Sequence, residues 1–158
     1  MTQTEGAERR YPPQRAATVV GAIFLLVGLA GFIPGITTDY GEMRFAGAHS
    51  DARLFGVFAV SILHNVVHLI FGVVGILVAA KSRSGSRVFL MVGGGIYLLL
   101  SVYGLGTSEH SAANFLPLNS ADNWLHFGLG IGMIALGVIT TAIERKRGDY
   151  PEPEIQHQ

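Results

Sequence analysis

Four long stretches of the chain contain no Asp, Glu, Lys or Arg, and they limit the folds that it can adopt. The stretches are Ala16 to Ile36, Leu54 to Ala80, Val88 to Ser108 and Asn123 to Ile143. Each exceeds the roughly 18 to 20 residues that an α-helix needs to cross about 30 Å of hydrocarbon. Only 14% of the 158 residues are charged, against about 25% in soluble domains. The sequence therefore predicts an all-α fold, a bundle of four transmembrane helices.

The predicted membrane domain covers residues 16–143, with helices at about 16–36, 54–80, 88–108 and 123–143. The flanking segments, residues 1–15 and 144–158, are polar and have no apolar periodicity, so we expect two tails outside the bilayer.

Basic residues are distributed unevenly between the two sides of this predicted bundle. Of the eleven Lys and Arg residues, only Arg44 and Arg53 lie in the first and third connections; the other nine precede the first helix, join the second to the third, or follow the fourth. Cytoplasmic segments carry the excess of Lys and Arg. Both termini are therefore expected in the cytoplasm.

The remaining composition narrows the possible functions. The formal net charge is zero, and no basic stripe interleaved with aromatics is present, so the sequence gives no support for nucleic-acid binding. There are no cysteines, which excludes disulfides, thiolate metal sites and cysteine nucleophiles. No Ser/His/Asp triad, phosphate-binding loop or pair of intramembrane carboxylates is visible. Enzymatic activity is the least supported class, and the default expectation is no cofactor.

Polar residues interrupt the second stretch in LHNVVHLIFG, residues 63–72. On a helix with about 100° per residue, His64 and Asn65 lie within about 60° of His68. Small residues share this face: Ser61, Gly72, Gly75 and Ala79. Because an unpaired polar group facing hydrocarbon is costly, the face is expected to point into the bundle. The first helix has a matching stripe for close packing, formed by Ala17, Gly21, Gly28, Gly31 and Gly35.

A similar arrangement recurs in the fourth helix. HNVVHLIFG, residues 64–72, aligns with DNWLHFGLG, residues 122–130, which pairs His64 with Asp122, Asn65 with Asn123 and His68 with His126. GAIFLL at 21–26 likewise aligns with GGIYLL at 94–99. The repeat predicts two tandem helical hairpins related by an axis along the membrane normal. The six paired polar residues are then expected to meet as one interior cluster, although either His64 or His68 could face His126.

This cluster has several possible roles. The histidines and asparagines could hydrogen-bond across helices and serve structure alone. Alternatively, His64, His68 and His126 could bind a metal, with a further ligand from Asp122, His49 or His110. Haem ligation and proton sensing are further alternatives. The zinc-peptidase signature is absent, since it requires Glu where Asn65 stands.

Three segments together resemble a family of bacterial four-helix membrane proteins, the domain of unknown function 4383. They are GLAGFIPGITTDY, LHNVVHLIFGVVG and HSAANFLPLNSADNWLHFGLGIGM, and the likeness covers roughly residues 15 to 143. The resemblance implies an integral protein of the bacterial plasma membrane and assigns no activity.

We therefore expect an accessory or structural membrane bundle with interior His and Asn hydrogen bonding. The alternative is a membrane module that binds a metal, haem or small ligand. The lipid bilayer is its surroundings in either case, and a second copy or another membrane protein could be its partner.

Overall fold

A computed structural model describes residues 10–150 of the chain as a bundle of four α-helices. They are α1 Pro12–Ala30, α2 Ile62–Lys81, α3 Arg83–Gly106 and α4 Ser120–Lys146. All four are long and apolar enough to span a membrane. Large apolar side chains cover the outside of the bundle, for example Leu26 at 66% and Leu99 at 70% exposed. The predicted four-helix transmembrane bundle is confirmed.

The first two helices are shorter than predicted. Helix α1 ends at Ala30 instead of about residue 36, because Pro34 disfavours helical backbone before it and Gly35 adopts φ +93°. Helix α2 begins at Ile62 instead of residue 54. Its N-cap is Ser61, whose hydroxyl accepts a hydrogen bond from the His64 N–H at 3.1 Å. The absence of charge in residues 31–36 and 54–61 therefore did not mean that they are helical.

The other two helices are longer than predicted. The hydroxyl of Ser82 caps α3 through the Gly85 N–H at 2.9 Å, five residues before the expected start. Asn119 and Asp122 form a capping box that starts α4 at Ser120. Helix α1 begins at Pro12 and α4 ends at Lys146, so parts of both predicted tails are helical. Residues 1–9 and 151–158 of those tails lie outside the described residues.

The loops at one end of the bundle form a cap, which we define as residues 31–61 and 107–119. Within it, strands β1 Thr37–Thr38, β2 Arg53–Leu54 and β3 Phe58–Ala59 pair antiparallel in that order. Tyr40–Glu42 is a 3-10 turn. Ala52, Leu54 and Val60 are buried in the cap and pack against Val27 and Ala30 at the end of α1. The two loops are joined where the Gly47 N–H donates to the Phe115 carbonyl at 2.7 Å.

The two hairpins, α1–α2 and α3–α4, pack through equivalent glycines. A Cβ added to Gly72 would lie 2.7 Å from the carbonyl oxygen of Gly21, and one added to Gly130 would lie 2.9 Å from that of Gly94. The backbones approach closely at both seams, as small residues allow. The predicted stripe on the first helix holds except at Gly35, which lies beyond the end of α1 with nothing within 4 Å of an added Cβ.

Polar contacts join the helices at the opposite end, which we call the basic end. The Gln14 amide donates to the Ala79 carbonyl at 2.8 Å in the first hairpin. In the second, the Arg87 guanidinium lies 2.5 Å from a carboxylate oxygen of Glu144, whose side chain is fully buried. The start of α1, the junction of α2 with α3 and the end of α4 therefore lie together.

Aromatic side chains are exposed around the capped end. They are Tyr40, Phe45, Phe55, Phe115 and Trp124, of which Phe45 is 67% and Trp124 64% exposed. Of these rings, Tyr40 and Trp124 are amphipathic, and exposed rings of that kind favour the membrane–water interface.

Candidate functional site

Three histidines from two helices meet inside the bundle beneath the cap. His64 and His68 project from successive turns of α2, and their ring centroids lie 4.5 Å apart. The ring of His126, from α4, lies 6.1 Å from that of His64. One ring nitrogen from each of the three lies within 4.8 Å of those of the other two. Both histidines of α2 therefore face His126, whereas the sequence alone left open which of the two would do so.

The cluster forms because the two seams bring equivalent residues to the middle of the bundle. All three histidines are at most 7% exposed. Phe24 packs on His68 with ring centroids 5.5 Å apart, and its equivalent in the repeat, Tyr97, packs on His126 at 5.2 Å. Phe24 and Tyr97 also contact each other, at 5.2 Å. The aromatic floor beneath the histidines is thus built from both hairpins.

The imidazoles have no hydrogen-bond partners on one side. The Nδ1 atoms of His64, His68 and His126 are buried and unpaired among residues 10–150. Most buried polar groups in proteins are hydrogen-bonded, and an exception calls for an explanation such as a bound ion or water.

The two asparagines of the predicted cluster lie elsewhere, at the helix seams. Asn65 packs its amide against Gly31, the residue directly after α1, and Asn123 packs its amide against Gly104 of α3. The Asn65 amide nitrogen contacts the sulfur of Met43 at 3.9 Å, and Asn123 Oδ1 has no partner in the part of the chain described. No side-chain hydrogen bond joins any two of the six predicted residues within residues 10–150. Each asparagine instead fills the space over a glycine of its own hairpin.

Asp122 occupies the position in the repeat that His64 holds in the first hairpin, but it binds backbone. Its Oδ2 accepts hydrogen bonds from the N–H groups of Ala59 and Asn119, both at 3.0 Å. The Asn119 amide in turn donates to the Val57 carbonyl at 2.8 Å. Asp122 therefore ties the start of α4 to strand β3 of the cap.

A cavity of about 210 Å³ adjoins the histidines between α1, α2, α4 and the cap. Its polar lining residues are His64, His68, Asp122 and His126, and its other walls are apolar residues such as Phe24, Leu54 and Phe58. The sequence did not predict the contribution of the cap, because that depends on how residues 54–60 fold. The sequence did contain a signal for the aromatic residue Phe24, because the alignment of GAIFLL with GGIYLL pairs it with Tyr97.

The donor set determines what the site can hold. Imidazole nitrogens suit Zn²⁺, Cu²⁺, Ni²⁺ or Fe²⁺. Two nitrogens bonded to one tetrahedral Zn²⁺ at about 2.0 to 2.1 Å are about 3.4 Å apart. Each ring would therefore have to move inward by less than about 1 Å to bind a single ion.

Haem does not fit this site. The adjoining cavity, at about 210 Å³, is smaller than the roughly 300 to 1,000 Å³ typical of pockets for drug-sized ligands. A porphyrin with both faces ligated would need more space than that, and the histidine rings are packed on Phe24 and Tyr97.

The fold and its interior histidines define a four-helix bundle with membrane-spanning character and a polar centre under a folded cap. The chain belongs to the family of the domain of unknown function 4383, whose model matches residues 14–139. The comparisons found no match among curated proteins or among solved structures.

Proposed function

We propose that this protein binds one divalent transition-metal ion inside the membrane through His64, His68 and His126. The observation that carries the proposal is the convergence of three buried imidazoles whose Nδ1 atoms are unpaired. A bound ion would use the electron pairs of these rings, and burial would restrict access by water. Asp122 is the one acidic residue among those that line the same cavity, and its Oδ2 already accepts two backbone hydrogen bonds.

Metal analysis of the detergent-purified chain tests this proposal. We expect about one Zn²⁺ or Cu²⁺ per chain after loading and desalting. His68→Ala and His126→Ala should each lose the ion, whereas His110→Ala should retain it, because His110 is exposed in the cap. Binding should weaken as the pH falls, since protons compete for the ligand nitrogens. Equal metal contents in all four proteins would contradict the proposal.

A structural role is the competing proposal, and ring packing favours it. His64 and His68 meet edge to face at 85°, and Phe24 covers His68. If packing is the only role, His68→Phe should retain the melting temperature of the wild type, and added metal should shift neither protein. If the metal site is real, Zn²⁺ should raise the melting temperature of the wild type alone.

The location of the protein is part of the same proposal. We propose that it resides in the bacterial cytoplasmic membrane with both termini in the cytoplasm, as the basic residues at one end suggest. Single cysteines can be placed in this cysteine-free chain. Positions near Ala48 and Asn114 should react with an impermeant reagent in intact cells, and a position near Ser84 should not. Labelling only at the position near Ser84 would show that the protein has the opposite orientation.

A further inference from the structure

A second cavity lies at the basic end, between the start of α1 and the end of α4. It has a volume of about 420 Å³ and is lined by Arg10, Tyr11, Arg15, Arg147 and Asp149, with Pro12 and Ile143. Three arginines and one aspartate thus line the cavity, and the guanidinium of Arg10 also donates to the Thr18 hydroxyl at 3.4 Å. Among residues 10–150, none of these three arginines forms a salt bridge. The cavity is separate from the histidine site, which lies towards the other end of the bundle.

The wall of this cavity is held in place by Arg83. Its guanidinium donates to the backbone carbonyl of Asp149 at 2.8 Å and lies 3.5 Å from the centre of the Tyr11 ring. The chain turns back after α4 at Gly148, whose φ is +68°, and the Asp149 N–H bonds to the Glu144 carbonyl at 3.0 Å. Arg147 and Asp149 are therefore fixed beside the start of α1.

An apolar groove between the same two helices lies further into the membrane. It has a volume of about 360 Å³, and its walls include Val20, Ile23, Leu136 and Met133. Its floor is open because Gly128 and Gly132 of α4 have nothing within 4 Å of an added Cβ. These two glycines therefore do not serve helix packing, unlike those at the seams.

The depth of the groove below the cavity matches the depth at which an acyl chain lies below the phosphate of a phospholipid. From Arg15 to Val20 the rise along α1 is about 7.5 Å, and from Ile143 to Leu136 along α4 it is about 10 Å, at about 1.5 Å per residue. A phosphate at the membrane surface and an acyl chain below it are separated by a similar depth. Basic pockets between transmembrane helices bind anionic headgroups.

We propose that an anionic phospholipid of the surrounding bilayer binds between α1 and α4. Its phosphate lies against Arg10, Arg15 and Arg147, and one of its acyl chains fills the groove over Gly128 and Gly132. The arginines select an anionic headgroup over a zwitterionic one, and the groove selects a lipid over a soluble anion.

The test measures quenching of tryptophan fluorescence by lipids with brominated acyl chains. Trp124 is the only tryptophan, so Trp124→Phe gives a silent background into which Leu136→Trp places a probe in the groove. Ile70→Trp is the matched control, because Ile70 is 59% exposed on α2 and lies about 16 Å from the basic end, as Leu136 does. Brominated phosphatidylglycerol and phosphatidylcholine with the same chains are compared.

We expect phosphatidylglycerol to quench the Leu136→Trp probe at lower lipid fractions than phosphatidylcholine, and the Ile70→Trp probe to show no preference. Each interfacial arginine contributes roughly fivefold in affinity. Arg15→Gln with Arg147→Gln should therefore reduce the preference by roughly 30-fold. Lys146→Gln should keep it, because Lys146 is exposed but does not line the cavity. Gly132→Leu should reduce quenching by both lipids at the groove.

Three results would overturn the proposal. One is equal quenching by the two lipids at the Leu136→Trp probe, and another is a preference that survives removal of both arginines. The third is loss of the preference on adding inorganic phosphate at the concentration of the lipid, which would show that the cavity takes a soluble anion.

Discussion

The two hairpins of this bundle share their packing and differ in their polar residues. Gly21 and Gly72 meet in the first as Gly94 and Gly130 meet in the second. An asparagine covers a glycine at the capped end of both seams, and an aromatic ring covers a histidine in both.

The exceptions lie at the two ends. Beneath the cap, His64 in the first hairpin corresponds to Asp122 in the second. At the basic end, Gln14 corresponds to Arg87. Positions that allow the helices to approach are thus repeated, as is the histidine pair His68 and His126, whereas the outermost polar position at each end differs between the hairpins. The comparison separates the residues that build the bundle from those that distinguish its halves.

The largest expected effect concerns Arg87 and Gln14. Arg87→Gln leaves the fully buried Glu144 carboxylate without its partner, which should cost about 3 to 5 kcal/mol of unfolding free energy. Gln14→Ala loses one neutral hydrogen bond to the Ala79 carbonyl and should cost about 1 kcal/mol. Unfolding in mixed detergent measures both. The control is Lys81→Gln, which removes an exposed positive charge at the same end and should cost less than either. Equal losses for all three variants would show that the two hairpins do not differ in this way.

The seams provide the second prediction. Gly21→Leu and Gly94→Leu should each lower the unfolding free energy by about 3 kcal/mol, because the added side chain meets the backbone of the facing helix. Gly95→Leu is the control on the same helix, since nothing lies within 4 Å of its added Cβ. Melting temperatures in one detergent would test the equivalence of the hairpins. The two hairpins are not equivalent if Gly94→Leu lowers the melting temperature no more than Gly95→Leu does.

The third prediction concerns the position where the hairpins differ beneath the cap. Asp122→Ala removes the acceptor for two backbone N–H groups and should cost about 1 to 3 kcal/mol. Asp122→Asn should cost less because its amide oxygen can still accept. The measurement is thermal unfolding of metal-free protein, with the exposed neighbour Ser120→Ala as control. Equal melting temperatures for Asp122→Ala and Ser120→Ala would show that Asp122 does not anchor the cap.

The smallest effect is a coupling between the equivalent residues His68 and His126. No hydrogen bond joins them within the described residues, so the losses from His68→Ala and His126→Ala should add in the presence of a chelator. With Zn²⁺ present, either substitution removes the same ion, so the double variant should lose about 0.5 to 2 kcal/mol less than the sum. A double-mutant cycle in both conditions measures this. Additive losses with Zn²⁺ would argue against a shared ion.

The sequence predicted best what depends on one helix at a time. The buried face of α2, with His64, Asn65, His68 and Gly72, follows from helical periodicity alone. The alignment of residues 64–72 with residues 122–130 also pairs Gly72 with Gly130, and both glycines lie at a helix seam. These features need no knowledge of how the loops fold.

Features that depend on several segments at once were not predictable. Residues 54–61 carry no charge, yet they contain a turn with Gly56 at φ +71° between strands β2 and β3, and α2 begins only after the Ser61 cap. Within residues 10–150, the Asn65 side chain makes no hydrogen bond across the bundle to Asn123 or His126, because the register of two helices directs it to Gly31. The cavity beneath the cap depends on both outcomes.

The exposed aromatic rings at the capped end and the arginines at the basic end together fix how deep the protein sits in a membrane. The amphipathic rings of Tyr40 and Trp124 favour the headgroup layer, and guanidinium groups resist entry into hydrocarbon. The bundle therefore has a set hydrophobic thickness. A bilayer that is thicker or thinner than this must deform around it or tilt it, at a fraction of a kcal/mol per Å of mismatch.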